Sequence, residues 1–176
     1  MELSEIKSVY FIGAGGIGMS ALARYFLAKG IRVGGYDRVP TELTRRLEAE
    51  GADLHYEDNV ELIAPCFKDK VSTLVVYTPA IPKDHSELRF YVDGGYEMHK
   101  RAQVLGTLSR TLKALCIAGT HGKTTTTAMA AHLLACSRVG CNAFLGGISK
   151  NYGTNYLFSA ESPYVVVEAD ELDRSF

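Results

Sequence analysis

At 176 residues, 47% of them hydrophobic, the chain can bury a proper core and hold one large or two small domains. Its 19 basic and 20 acidic residues leave a formal net charge of -1, which gives no electrostatic reason to expect nucleic acid or an anionic membrane as partner. Cys66, Cys116, Cys136 and Cys141 are widely spaced with no C-x-x-C pair, so neither a zinc site nor a disulfide framework is expected, and no apolar run approaches the roughly 18 residues of a membrane span. The start, residues 1–7, is charged and amphipathic where a signal peptide would be basic and then apolar, so small ligands and a cytoplasmic location are expected.

In chain order, residues 8–12 form a short apolar strand candidate, followed by Gly13-Ala14-Gly15-Gly16-Ile17-Gly18 and a helix over 19–29 closed by Gly30. This is G-x-G-x-x-G between a strand and a helix. The next strand, 31–36, ends at Asp37, about where a nucleotide-binding βαβ unit places an acid on a ribose hydroxyl. The loop and Asp37 together fit a diphosphate and its ribose, as NAD or a nucleotide-diphospho sugar would supply; neither feature demands nicotinamide. A helix start that only needs small residues against a sheet is the plainer alternative.

Alternation continues with a helix at 40–48, a short strand at 52–55, a helical turn at 60–63, a strand at 73–77, a helix at 86–92, a strand at 96–99 and a helix at 101–108. Ligands of open α/β sheets sit at the carboxyl ends of strands, so the loop, Asp37, His55, Thr78, Pro79 and Ala80 are expected to line one crevice. His55, at a strand end, would reach a phosphate oxygen there. His85, His99 and His132 stand alone and read as packing or surface residues.

A second strand, loop and helix follow polar residues 109–113. The run 114–118 reads as a buried parallel strand, 119–127 as Gly-Thr-His-Gly-Lys-Thr-Thr-Thr-Thr, and 128–134 as a helix. Polyphosphate oxygens need converging backbone N–H groups, and Gly119 and Gly122 lack the Cβ that would block their approach. Lys123 supplies a positive charge for phosphates, and the Thr124 hydroxyl suits Mg²⁺, a cation that prefers oxygen ligands. The common spacing would put a glycine at position 117, where Ile117 stands, so this is a variant phosphate loop. His121 reads as a solvated loop residue. Glu168, first after the apolar strand 164–167 and within the acidic turn Glu168-Ala169-Asp170-Glu171, is the expected Mg²⁺ carboxylate. The chain stops five residues after that turn, at Phe176, and so reads as part of something longer.

Gly119 to Thr126, Gly13 to Ser20 and Glu168 to Phe176 together resemble the Mur ligases of peptidoglycan synthesis. The resemblance runs over essentially the whole chain and implies an α/β fold: a Rossmann-like parallel-sheet domain, residues 1–110, that binds a UDP-sugar, then the start of a P-loop ATP-binding domain, residues 111–176. The histidine form of the second loop points, within that family, to the member that joins L-alanine to the lactyl carboxylate of UDP-N-acetylmuramate at the expense of ATP. By family position, Gly13, Gly15, Gly16, Ile17, Gly18, Met19 and Ser20 would hold the UDP diphosphate. Gly119, Thr120, His121, Gly122, Lys123, Thr124 and Thr125 would hold the ATP phosphates, with Lys123 catalytic and Thr124 and Glu168 on Mg²⁺. Two alternatives stay open: the recycling ligase that attaches a tripeptide to the same UDP-sugar, and an NAD-binding regulatory module fused to a P-loop switch.

Overall fold

The apolar run Ser8–Ile12 forms β1, buried at every residue, as a strand covered on both faces must be. It is the central strand of a five-stranded, all-parallel sheet in the computed structural model, which describes residues 5–169. The remaining strands are β2 (Arg32–Tyr36), β3 (Asp53–His55), β4 (Thr73–Tyr77) and β5 (Met98–Lys100), in the order β3-β2-β1-β4-β5. Helices α1 (Ile17–Ala28), α2 (Glu42–Ala49) and α3 (Ser86–Asp93) connect them, with single 3-10 turns at Val60–Leu62 and Pro65–Phe67. The order reverses between β1 and β4, which is the switch point where such sheets open a crevice.

All three helices stop by the same chemistry. Gly30, Gly51 and Gly95 take left-handed φ values of 73°, 103° and 63°. At each, the next residue's N–H returns to a carbonyl of the last helical turn: Ile31 to Phe26, Ala52 to Leu47, and Tyr96 to Tyr91. This is the Schellman stop, and in each case it hands the chain to a parallel strand within a few residues. α2 also starts well, because the Thr41 and Thr44 hydroxyls bond each other's backbone N–H in a capping box.

Alternation along β1 divides the core. Phe11 packs toward Phe26 of α1, while Tyr10 and Ile12 join Tyr36, Ile63, Phe67, Val75 and Tyr91 on the other face. Gly34, opposite Tyr10, makes that second face possible: a Cβ there would stand 2.4 Å from Cε2 of the Phe67 ring. A glycine pair inside a strand is unfavourable by propensity, and close packing of an aromatic ring supplies the reason for it.

By internal packing the chain divides into Met1–Arg101 and Ala102–Phe176. Helix α4 (Arg101–Thr111) lies, from Ala102 on, with the second unit, whereas the sequence reading puts the boundary after residue 110. The second unit continues with β6 (Lys113–Ile117), α5 (Lys123–Ala135), β7 (Asn142–Ser149), β8 (Thr154–Leu157) and β9 (Tyr164–Glu168). Its sheet runs β6-β9-β7-β8, with β6, β9 and β7 parallel and β8 antiparallel at the edge. Ala131, Cys141, Ala143, Leu145 and Val166 form its core. The β7–β8 hairpin has no counterpart in the sequence reading, because Gly146-Gly147 breaks the two-residue alternation of β7. α5 starts at Lys123, five residues before the expected start, although a threonine run is a poor helix former by propensity.

Adding the missing methyl at Gly34 tests the ring contact. Gly34→Ala is expected to cost about 1–3 kcal/mol by overpacking. In a Phe67→Ala background, where the ring is gone, the same change is expected to cost markedly less; urea unfolding of the four proteins in the cycle measures the difference.

Candidate functional site

The registers of the first sheet bring Tyr36, Ile12, Tyr77 and Lys100 into one row at its carboxyl edge. The glycine loop folds over that row: Gly13 N–H and Ala14 N–H both donate to the Tyr36 carbonyl, at 2.8 and 3.0 Å. Gly13 has φ of 92°, and a Cβ on it would lie 2.5 Å from Cγ2 of Thr78, so the residue after β4 closes directly onto the loop. Gly15 N–H donates to Oδ2 of Asp37 at 2.6 Å. Asp37 therefore ties the loop to the end of β2. Gly16, with extended backbone, caps α1 without any side-chain hydrogen bond; a helix start of this kind offers N–H groups and the positive end of the helix dipole to an anion.

Beside the loop lies a cavity of about 710 Å³. Of the residues expected at the crevice, Gly13, Gly16, Met19, Asp37, Thr78 and Ala80 line it. Gly15, Ile17, Gly18, Ser20 and Pro79 stand beside or behind that lining, with the Ser20 hydroxyl donating to the Ile17 carbonyl inside α1. The cavity also takes Tyr36, Arg38, Asp58, Ile81, Pro82, Asp84 and His85, which the sequence reading does not place there. Asp58 caps α3 by accepting from the Ser86 N–H and hydroxyl and from the Glu87 N–H. Burial works to raise the Asp58 pKa, but the Ser86 hydrogen bonds and nearby His85 outweigh it and hold the carboxyl below its ordinary range. His85, almost wholly buried, packs on Tyr36 with ring centroids 4.4 Å apart and sets Nδ1 3.3 Å from Asp58 Oδ1. Burial lowers its pKa, partly opposed by Asp58 and Asp84. With Asp37, Asp58 and Asp84 on its wall, the cavity is rich in acceptors for hydroxyl and N–H donors. The capping of α3 by Asp58 spans 28 residues of sequence, so local pattern carried no signal for it.

His55 lies elsewhere than expected. It pairs with Tyr36 in the β2–β3 register and so shares the face of Tyr36 and Tyr10, but unlike Tyr36 it is not among the residues that line the cavity. Its Nε2 is 2.8 Å from the Tyr10 hydroxyl and 3.3 Å from Oε1 of Glu87, while the Tyr10 hydroxyl also donates to Glu87 Oε2 at 2.8 Å. Nδ1 faces the Glu57 carbonyl at 2.9 Å; a carbonyl only accepts, so Nδ1 carries a proton. Burial lowers the His55 pKa and pushes the fully buried Glu87 up to about 7.

In the second unit, Gly119 (φ 144°) and Gly122 (φ 77°) shape the loop between β6 and α5, with Gly122 as the helix cap. These are conformations that side chains resist, which is why the loop needs glycine there. Lys123 is half-buried and donates from Nζ to the Gly119 carbonyl at 2.6 Å, drawn back over the loop it belongs to. Thr120, His121, Thr124 and Thr125 are exposed. Glu168 ends β9 beside Ile117 of β6 and accepts from Gly146 N–H at 3.2 Å. A Cβ on Gly146 would stand 2.6 Å from Glu168 Oε1, and one on Gly147 would stand 3.9 Å from Thr124 Cγ2. The Thr124 methyl and the Glu168 carboxylate thus both lie by the glycine pair of β7. A hydroxyl, a carboxylate and a glycine loop form a donor set that fits Mg²⁺ and a polyphosphate. Among the described residues no cluster of three or more His, Cys, Asp or Glu could hold a metal by itself. Asp170, Glu171 and the rest of the acidic turn lie outside the described residues.

Residues 8–113 match the profile of the Mur ligase family, catalytic domain. The chain is 65% identical over 176 residues to the UDP-N-acetylmuramate–L-alanine ligase of Phocaeicola vulgatus and 60% identical over 176 to that of Parabacteroides distasonis. It spans 38% of the length of each of these relatives. Among solved structures, the UDP-N-acetylmuramate-alanine ligase MurC of Thermotoga maritima is similar with a TM-score of 0.79 and 32% identity, over 92% of this chain and 37% of that one. The UDP-N-acetylmuramate:L-alanyl-gamma-D-glutamyl-meso-diaminopimelate ligase of Neisseria meningitides gives 0.80 and 26%, over 96% of this chain and 54% of that one.

The buried Tyr10–His55–Glu87 group predicts a pH dependence of stability. A carboxyl raised from 4.5 to about 7 keeps a proton in the native state that the unfolded chain releases, so its contribution is full below about 4.5 and lost as pH rises through 7. Relative to Glu87→Gln, the wild type is expected to lose about 1–3 kcal/mol between pH 5 and pH 8, read from urea midpoints at each pH.

Proposed function

This chain belongs to the Mur ligase family, and from that premise we propose that it is the UDP-sugar-binding part and the opening of the ATP-binding part of a ligase that joins L-alanine to UDP-N-acetylmuramate. The observation that carries the choice within the family is the 65% identity, along the whole chain, to a relative named for that reaction. The glycine loop over a cavity of about 710 Å³ supports the substrate side of the reading. In this reading residues 1–110 hold the UDP-sugar and residues 111–176 open the ATP-binding domain.

A carboxylate does not condense with an amine at neutral pH, so it must be activated first. The lactyl carboxylate of the UDP-sugar attacks the γ-phosphate of ATP, ADP leaves, and the amine of L-alanine opens the resulting acyl phosphate to release phosphate. Phosphoryl transfer needs positioning and charge compensation more than covalent help from the protein. In this chain the N–H groups of the 119–125 loop would hold the ATP phosphates, and the Lys123 ammonium, released from the Gly119 carbonyl, would meet the charge that develops on them. Thr124 and Glu168 would hold Mg²⁺, which supplies further charge compensation when bound. In the first unit the loop amides and the start of α1 would hold the UDP diphosphate, with the acidic wall left for hydroxyls and N–H groups. A reaction that consumes ATP belongs in the cytoplasm. The tripeptide ligase is the second reading, favoured by the TM-score of 0.80 to the Neisseria meningitides enzyme.

Calorimetric titration of the chain with UDP-N-acetylmuramate and, separately, with NAD tests the substrate side. Saturable binding of the UDP-sugar without binding of NAD is expected. NAD binding alone would sink the ligase reading and leave a dinucleotide-binding module.

A further inference from the structure

The third glycine of a G-x-G-x-x-G loop ordinarily lets helix and sheet pack closely. Here the space belongs to an arginine. A Cβ on Gly18 would lie 2.6 Å from Nη1, 2.8 Å from Cδ and 2.9 Å from Cζ of Arg101. Gly18 is the second residue of α1, so the half-buried Arg101 side chain rests on the first turn of the helix whose start faces the cavity.

Strand register explains how a residue so distant in sequence arrives there. Ile12 pairs with Tyr77 and Tyr77 with Lys100, so the next residue on each strand, Gly13, Thr78 and Arg101, leaves the sheet at the same edge. Arg101 flanks the switch-point crevice from the β5 side, outside the cavity lining itself.

Its electrostatics are incomplete as they stand. Arg24 and Arg46 are paired with Glu50 and Glu42, but the Arg101 guanidinium makes no hydrogen bond or ion pair with any described residue. It lies instead against the positive end of a helix dipole, where a cation is repelled and an anion attracted. A guanidinium half-withdrawn from water beside outward N–H groups is unfavourable until an anion bridges the two.

We propose that Arg101 binds phosphate in the first site, its guanidinium acting beside the loop amides on the diphosphate of a nucleoside diphosphate. The inference rests on reading that site as one for a UDP-sugar. It assigns Gly18 a role of its own, the seating of Arg101.

UDP and uridine separate the phosphate contribution from the rest of the ligand. Both are titrated into the 176-residue chain and into Arg101→Gln, Arg101→Lys and Gly18→Ala, UDP by calorimetry and uridine by NMR shifts. Arg101→Gln is expected to weaken UDP about tenfold to a hundredfold, the worth of one charge-assisted contact, while leaving uridine unchanged. Arg101→Lys recovers part of the loss, the salt dependence of UDP binding shrinks with Arg101→Gln, and Gly18→Ala adds little in that background. Unchanged UDP affinity in Arg101→Gln, or equal loss of UDP and uridine, overturns the assignment while the site reading stands. A wild type that binds neither probe overturns the site reading and the assignment with it.

Discussion

Backbone pairing in register, without a slip from β2 through β1 and β4 to β5, is what the first site hangs from. It delivers Asp37, Gly13, Thr78 and Arg101, residues from four separate turns of the chain, to one edge. Parallel strands require crossover connections, and three of the four here carry a helix stopped by a left-handed glycine that returns the chain at a set level, the β3–β4 connection being made by 3-10 turns instead. Because side chains alternate along each strand, a slip of one residue would turn Tyr10 and Tyr36 out of the core and misplace the loop together. The site's geometry and the core's packing are thus one constraint.

Close approach is the second theme, and it recurs with different partners. At Gly13 the neighbour is Thr78, at Gly15 the Asp37 carboxylate, at Gly34 the Phe67 ring, and at Gly146 the Glu168 carboxylate. In each case an absent Cβ lets a functional or core group come closer than any side chain would permit. The same device thus seats a threonine, two carboxylates and an aromatic ring against the backbone.

Polar groups are treated differently in the core and at the surface. Asp58 is held ionised because α3 donates to it from backbone and hydroxyl. Glu87, one position into the same helix and fully buried, is pushed the other way by loss of water and shares its hydrogen bonding with Tyr10 and His55. Two carboxylates at one helix start therefore have opposite proton preferences: hydrogen bonds outweigh burial at Asp58, and burial outweighs hydrogen bonds at Glu87.

Much was legible in the residues themselves. The two glycine loops between strand and helix, Asp37 after β2, Lys123 and Thr124 at a helix start, and Glu168 at a strand end stand in the structure where their local patterns put them, because a glycine loop, a helix start and a strand end are each marked by contiguous residues. The alternation of apolar strands and helices likewise carried the α/β class and the five strands of the first unit, because period and punctuation are properties of short windows. What only the tertiary structure decided was long-range. The face on which His55 falls depends on its register against Tyr36; Asp58 and His85 reach the cavity through a cap closed across 28 residues; and the β7–β8 hairpin forms although its glycines erase the alternation. Arg101 meets Gly18 only because β1, β4 and β5 lie side by side, a juxtaposition no window of sequence contains.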